Sequence, residues 1–115
     1  MSRIKSGKVT KRRHKKVLKQ TKGFWGQRKN VFRRAKETLL RAMAFAFKGR
    51  KLKKRDMRAL FIARISAASK ENGISYSKFI NGLKNKEVAL NRKMLSQIAV
   101  FDPQIFSKLV EISKS

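Results

Sequence analysis

The sequence predicts an all-α protein, with a long basic helical extension at the N-terminal side and a small compact helical domain after it. Three observations predict this. Apolar residues recur at spacings of three and four, and no alternating run is long enough for a sheet. The only proline is Pro103, so nothing in the first hundred residues breaks a helix more strongly than a glycine does. Charge is also placed unevenly. Residues 1–58 carry 23 Lys+Arg against Glu37 and Asp56, a net +21, whereas residues 59–115 carry nine against four acids, a net +5.

The elements follow in chain order. Residues 1–23 hold only Ile4, Val9, Val17 and Leu18 as sizeable apolar side chains. They bury too little surface to offset ordering entropy, so this stretch is expected to order only on a partner. Its charge centre is Lys11-Arg12-Arg13-His14-Lys15-Lys16. Like charges at i,i+4 oppose an isolated helix, and phosphates relieve that repulsion. Gly23-Phe24-Trp25-Gly26 then reads as a turn. Its two aromatics lie between basic segments, a setting in which one ring stacks on an unpaired base.

From Gln27 to about Asn72 the composition is rich in good helix formers. Phe32, Ala35, Leu39, Ala42 and Ala46 make a stripe along one face. At 1.5 Å per residue, forty-odd residues predict a helix of roughly 65–70 Å. Gly49 is a candidate kink, ringed by Lys48, Arg50, Lys51, Lys53, Lys54, Arg55 and Arg58. Cations on nearly every side suit a site enclosed by phosphates better than a protein core. Leu60, Phe61, Ile62, Ala63, Ile65, Ala67 and Ala68 end this helix with an apolar surface, and Asn72-Gly73 stops it. Ser75 is the expected cap of a short helix carrying Tyr76, Phe79, Ile80 and Leu83. Asn91 is the expected cap of the next, with Met94, Leu95, Ile98 and Phe101 on one face. Asp102-Pro103 starts the last, with Ile105, Phe106, Leu109 and Val110 at helical spacing.

Composition then bounds the function. With 32 Lys+Arg and 6 Asp+Glu, the formal charge is +26. Such a chain repels itself, and a polyanion both relieves the strain and releases counterions. There is no Cys, hence no disulfide and no thiolate metal site. No apolar run approaches the ~20 residues of a membrane span, and the N-terminus has no secretory apolar stretch. His14 is the only His, no second His or Cys joins it as a ligand, and the six acids are scattered. No phosphate-cradling glycine loop is present. The expectation is therefore a non-enzyme without metal, cofactor or small-molecule substrate.

Nucleic acid is the expected partner, and RNA is favoured over DNA because basic arms of this kind fold on binding within RNA. Candidate contacts in the extension are Arg3, Lys5, Lys8, Lys11, Arg12, Arg13, His14, Lys15, Lys16, Lys19, Lys22, Phe24, Trp25, Gly26, Arg28, Lys29, Arg33, Arg34 and Arg41, together with the cations around Gly49. Two other classes compete. A DNA-compacting protein would dimerise through the Phe32–Ala46 stripe, and a membrane-active cationic protein would have no use for the C-terminal core.

Several blocks resemble one family in order and spacing. They are Arg13-His14-Lys15-Lys16-Val17-Leu18-Lys19, then Gly23-Phe24-Trp25-Gly26-Gln27-Arg28, then Leu60 through Ala68. Next come Asn72-Gly73-Ile74-Ser75-Tyr76-Ser77-Lys78-Phe79-Ile80-Asn81-Gly82-Leu83, and Leu90 through Leu95 with Ile98-Ala99-Val100. Over essentially its whole length the chain resembles the L-twenty family of bacterial-type large ribosomal subunit proteins. The resemblance implies an extension (1–58) threaded into large-subunit rRNA and a helical RNA-binding domain (59–115) on an RNA junction. It also implies a role in early subunit assembly within the ribosome, of the bacterial cytoplasm or of an organelle, neighbouring ribosomal proteins as partners and, in some members, repression of their own messenger. By residue, it carries RNA contact onto His14, Lys15, Lys16, Lys19, Gly26 and Arg28, and onto Arg64, Ser77, Lys78, Asn81, Arg92 and Lys93. The chain departs from the family pattern at Phe61, where Trp is frequent, at Ser66, where Asn is frequent, and at Trp25, where a basic residue is more usual.

Overall fold

The computed structural model describes residues 5–115. The described elements are α1 (Gly7–Gln20), a 3-10 turn (Gly26–Lys29), α2 (Phe32–Glu71), α3 (Tyr76–Asn85), α4 (Arg92–Phe101) and α5 (Pro103–Lys114). Among the described residues there is no strand, as the spacing of apolar residues predicts. The chain divides into two compact units between Lys51 and Leu52, within α2 and seven residues before the change in charge at Ala59.

In the first unit, residues 7–20 form the helix α1. The reason lies in a pattern masked by the charge: His14, Val17, Leu18 and Thr21 recur at i, i+3, i+4 and i+7 on one face of α1. The first three are half-buried and Thr21 is buried. His14 stacks on Phe32 at the start of α2, with ring centroids 3.8 Å apart and planes at 14°. Ala35, one turn along from Phe32, is buried. This small contact gives α1 the tertiary support that its repelling cations deny it in isolation. α2 also begins later than expected, at Phe32 instead of Gln27. The Val31 amide donates to the Gln27 carbonyl and the Ala35 amide to the Val31 carbonyl, so Gln27 and Val31 belong to the turn that launches the helix. Gly49 leaves α2 unbroken.

The second unit holds the core. Ile65 of α2, Phe79 and Leu83 of α3, Leu95 of α4, and Phe106 and Val110 of α5 form one buried cluster. Phe79 and Phe106 meet at 5.1 Å between centroids in a tilted pair. α3 lies so close to α5 that a Cβ on Gly82 would come within 2.8 Å of the Ser113 Cβ. α2 ends where the sequence stops it. Gly73 adopts φ +71°, the Ile74 amide donates to the Ser69 carbonyl and the Gly73 amide to the Lys70 carbonyl, the paired bonds of a Schellman closure. Asn72 then ties α2 to α5. Its side-chain Nδ2 donates to the Ala68 carbonyl at 2.8 Å, its side-chain oxygen accepts from the Ser107 hydroxyl at 2.9 Å, and its backbone carbonyl accepts from Lys114 Nζ at 3.0 Å.

The caps divide. Asn91 accepts from the Met94 amide at 2.9 Å, as expected. Ser75 and Asp102 occupy the N-cap positions, but neither side chain makes a cap hydrogen bond. The expected face of α4 is also corrected. Leu95 is buried, whereas Met94 is exposed and Phe101 is 75% exposed. The residues that follow Leu95 round one helical face are Ile98 and Ala99, and Met94 and Phe101 fall to its side.

Candidate nucleic-acid interface

In the first unit, the helical period sorts the side chains of α1. With His14, Val17, Leu18 and Thr21 turned to the protein, Lys8, Lys11, Arg12, Lys15, Lys16 and Lys19 cover the rest of the surface, and all are exposed. Arg13 stands at the edge between the two faces, also exposed. Lys5 and Lys22 flank the helix and are exposed, while Arg3 lies outside the described residues. The sequence reading assigned His14 to nucleic acid along with its neighbours. Its ring is half-buried, with one face occupied by Phe32.

The turn after α1 separates its two aromatics. The Phe24 amide donates to the Thr21 carbonyl at 3.1 Å, and the Phe24 ring is half-buried. Trp25 is 88% exposed in extended backbone, between Gly23 at φ +84° and Gly26 at φ +59°. Arg28 and Lys29 follow, exposed, on the 3-10 turn. A planar ring held out beside cations is the arrangement that base stacking requires.

Along α2, Arg33, Arg34, Arg41, Lys48, Arg50 and Lys51 are exposed in the first unit. Lys53, Lys54, Arg55 and Arg58 are exposed in the second. The single ion pair among the described residues joins Arg41 to Glu37 at 2.9 Å, and both side chains are largely in solvent. Almost none of the positive charge is therefore neutralised internally. Ordinary surface charge of mixed sign would show many such pairs.

The second unit presents a different surface. Ser77, Lys78 and Asn81 share the face of α3 opposite Phe79 and Leu83, and all three are exposed. Lys78 also lines an open pocket with Gly73, Ile74, Ser75, Ser113 and Lys114. At the start of α4, Arg92 is half-buried and its Nε donates to the Tyr76 hydroxyl at 3.1 Å, which holds the guanidinium against α3. Lys93 beside it is exposed, as is Arg64 on α2. The structure thus brings the assigned residues of α3 and the start of α4 onto neighbouring elements, with Arg92 fixed by a hydrogen bond.

Sequence reasoning missed some residues here. Leu40, Met43, Phe45 and Phe47 are exposed on α2 among the cations. Lys51 Nζ sits 4.4 Å from the centroid of the Phe47 ring. Lys36 is exposed as well and was passed over. Residues 36, 40, 43 and 47 lie within about a quarter-turn of one another round the helix, which helical spacing alone would have revealed. No group of three or more potential metal ligands occurs among the described residues. No helix among them is long and apolar enough to cross a membrane.

Comparison with known proteins supplies the context. The sequence model of the family described as "Ribosomal protein L20" matches residues 3–109. A "Large ribosomal subunit protein bL20" of Caldanaerobacter subterraneus subsp. tengcongensis is 54% identical over 114 residues, covering 99% of this chain and 96% of the relative. A protein of the same description from Clostridium novyi is 54% identical over the same coverage. Another from a Thermoanaerobacter species is 52% identical, again over 99% of this chain and 96% of the relative.

Proposed function

The chain belongs to the ribosomal protein L-twenty family, a structural and non-enzymatic family, and from that premise we propose that it binds large-subunit rRNA directly and promotes early assembly of the subunit. It is a structural constituent of the large ribosomal subunit, so rRNA and other ribosomal proteins are its surroundings. The observation that carries the proposal is the unneutralised charge: net +26, with a single ion pair among the described residues. Such a surface gains most where phosphates converge and counterions are released.

The two units act differently in this reading. The exposed cations of α1 and of the first half of α2 neutralise phosphates of converging RNA helices and let them approach. Trp25, rather than the half-buried Phe24, supplies the stacking platform. Because its ring is already engaged by Phe32, His14 acts by holding α1 in place. In the second unit, Arg64, Ser77, Lys78, Asn81, Arg92 and Lys93 supply the address through shape and polar contact. Phosphate contacts carry affinity and little discrimination, so the address belongs to the polar face. Binding to the chain's own messenger, which the resemblance allows, would draw on that same face.

A salt-titrated binding assay tests this, comparing folded large-subunit rRNA fragments with duplex DNA of equal length. The expected result is one RNA fragment bound tightly, with binding that persists at moderate salt. Equal and steeply salt-sensitive binding to every polyanion would overturn the proposal and bring DNA compaction forward.

A further inference from the structure

The first half of α2 carries an apolar ridge that the charge pattern hides. Leu40, Met43 and Phe47 stand at i, i+3 and i+7, so they line one side of the helix. They are 60%, 52% and 56% exposed, and no other described element covers them. Large apolar side chains scattered singly over a surface need no explanation, but three in register on one helical face do. Their setting is distinctive. Lys36 precedes them on the same side of the helix, Arg50 and Lys51 follow, and Lys51 Nζ lies over one face of the Phe47 ring at 4.4 Å. The nearby acid, Glu37, points away from the ridge and is engaged by Arg41 at 2.9 Å.

We propose that this ridge seats in the shallow minor groove of an RNA helix, its apolar side chains against riboses and its flanking cations on the phosphates of either strand. The inference rests on the RNA-binding reading above and adds the mode of contact. Charge selects the occupant. A second copy of the chain would set Lys36, Arg50 and Lys51 against the same cations, and an apolar protein groove would need an acidic rim to accept them. The minor groove of A-form RNA is wide and shallow and displays riboses between two rows of phosphates, matching an apolar strip with cations at its margins. Stacking on flipped bases fits less well. Leu40 and Met43 offer no flat surface, and one face of Phe47 is already taken by the Lys51 ammonium.

The test uses the full chain, a folded large-subunit rRNA fragment and the salt dependence of binding. Leu40→Ala, Met43→Ala and Phe47→Ala are combined, because Ala keeps α2 helical and the three side chains contribute nothing to the buried core. Apolar contacts release no counterions, so the ridge should move the affinity and leave the salt slope alone. The expected result is binding weaker by roughly ten- to a hundredfold at every salt concentration with an unchanged slope. Lys51→Gln provides the contrast, lowering the slope by about one. Unchanged affinity in the triple variant would overturn the proposal, and so would a reduced slope, since the ridge would then act only by positioning cations. If the parent chain bound no rRNA fragment, the RNA-binding reading itself would fall. If it bound and the triple variant bound equally well, only the ridge would fall. Circular dichroism of the variant confirms that α2 is intact.

Discussion

The two units solve opposite problems with the same secondary structure. The unit from Leu52 onward buries six apolar side chains from four helices, and its helices close on Asn72 and the Gly73 turn. The unit before it buries little beyond Ala35 and Thr21, and leaves Leu40, Met43, Phe45, Phe47 and Trp25 in solvent. Both are helical, yet only one has the interior that normally supports helices. The lesson is that order in the first unit stands on a few contacts, while order in the second stands on a core of its own.

Five substitutions would break or sharpen that contrast. The largest effect is expected at Phe106, fully buried against Phe79. Phe106→Ala should cost about 3–5 kcal/mol, enough to abolish the cooperative thermal transition of so small a core. Phe45→Ala, at an exposed site of the other unit, should stay within about 0.5 kcal/mol of the parent in the same melt. Equal losses at the two positions would erase the distinction between the units.

A smaller effect is expected at His14. His14→Ala removes the stacked contact with Phe32 and should loosen α1 by about 0.5–1.5 kcal/mol, read as faster amide exchange over Gly7–Gln20 with the core amides unchanged. Exchange that stayed slow would show that α1 does not depend on this stack.

Two further sites should show an effect of the opposite sign. Ser69 and Ser96 are buried in the second unit, and their hydroxyls have no hydrogen-bond partner. Replacing either by Ala removes a buried polar group, so chemical denaturation should give a stability equal to the parent or higher by about 1 kcal/mol. A loss at either site would mean that the hydroxyl is satisfied in solution.

Local chemistry explains what was legible beforehand. Gly73, Asn91 and Pro103 announce helix ends through single-residue effects, so the helices of the second unit could be read from sequence. The Ile65, Phe79, Leu83, Leu95, Phe106 and Val110 positions followed from their spacing. What escaped was non-local. His14 of α1 finds Phe32 across a turn, and charge counting along residues 1–23 carries no trace of that contact. Met94 and Phe101 read as one face with Leu95 and Ile98 yet stand exposed, because an apolar residue at helical spacing does not say which edge of the face meets a neighbour. The contacts assigned on the interface were readable as residue types. The exposure of Trp25 beside a half-buried Phe24 was not, since it depends on how the turn backbone orients two adjacent rings.

The position of Trp25 has a spectroscopic consequence. It is the chain's only tryptophan and stands 88% exposed in the turn after α1, while the core of the second unit is built from Phe79, Phe106 and aliphatic side chains. Indole emission will therefore be nearly silent while that core melts, and a fluorescence-based thermal scan would miss the transition that Tyr76 and far-ultraviolet dichroism report. The same silence makes the indole a clean native probe, because any quenching or blue shift on adding RNA reads out the turn alone, without a label and without interference from folding.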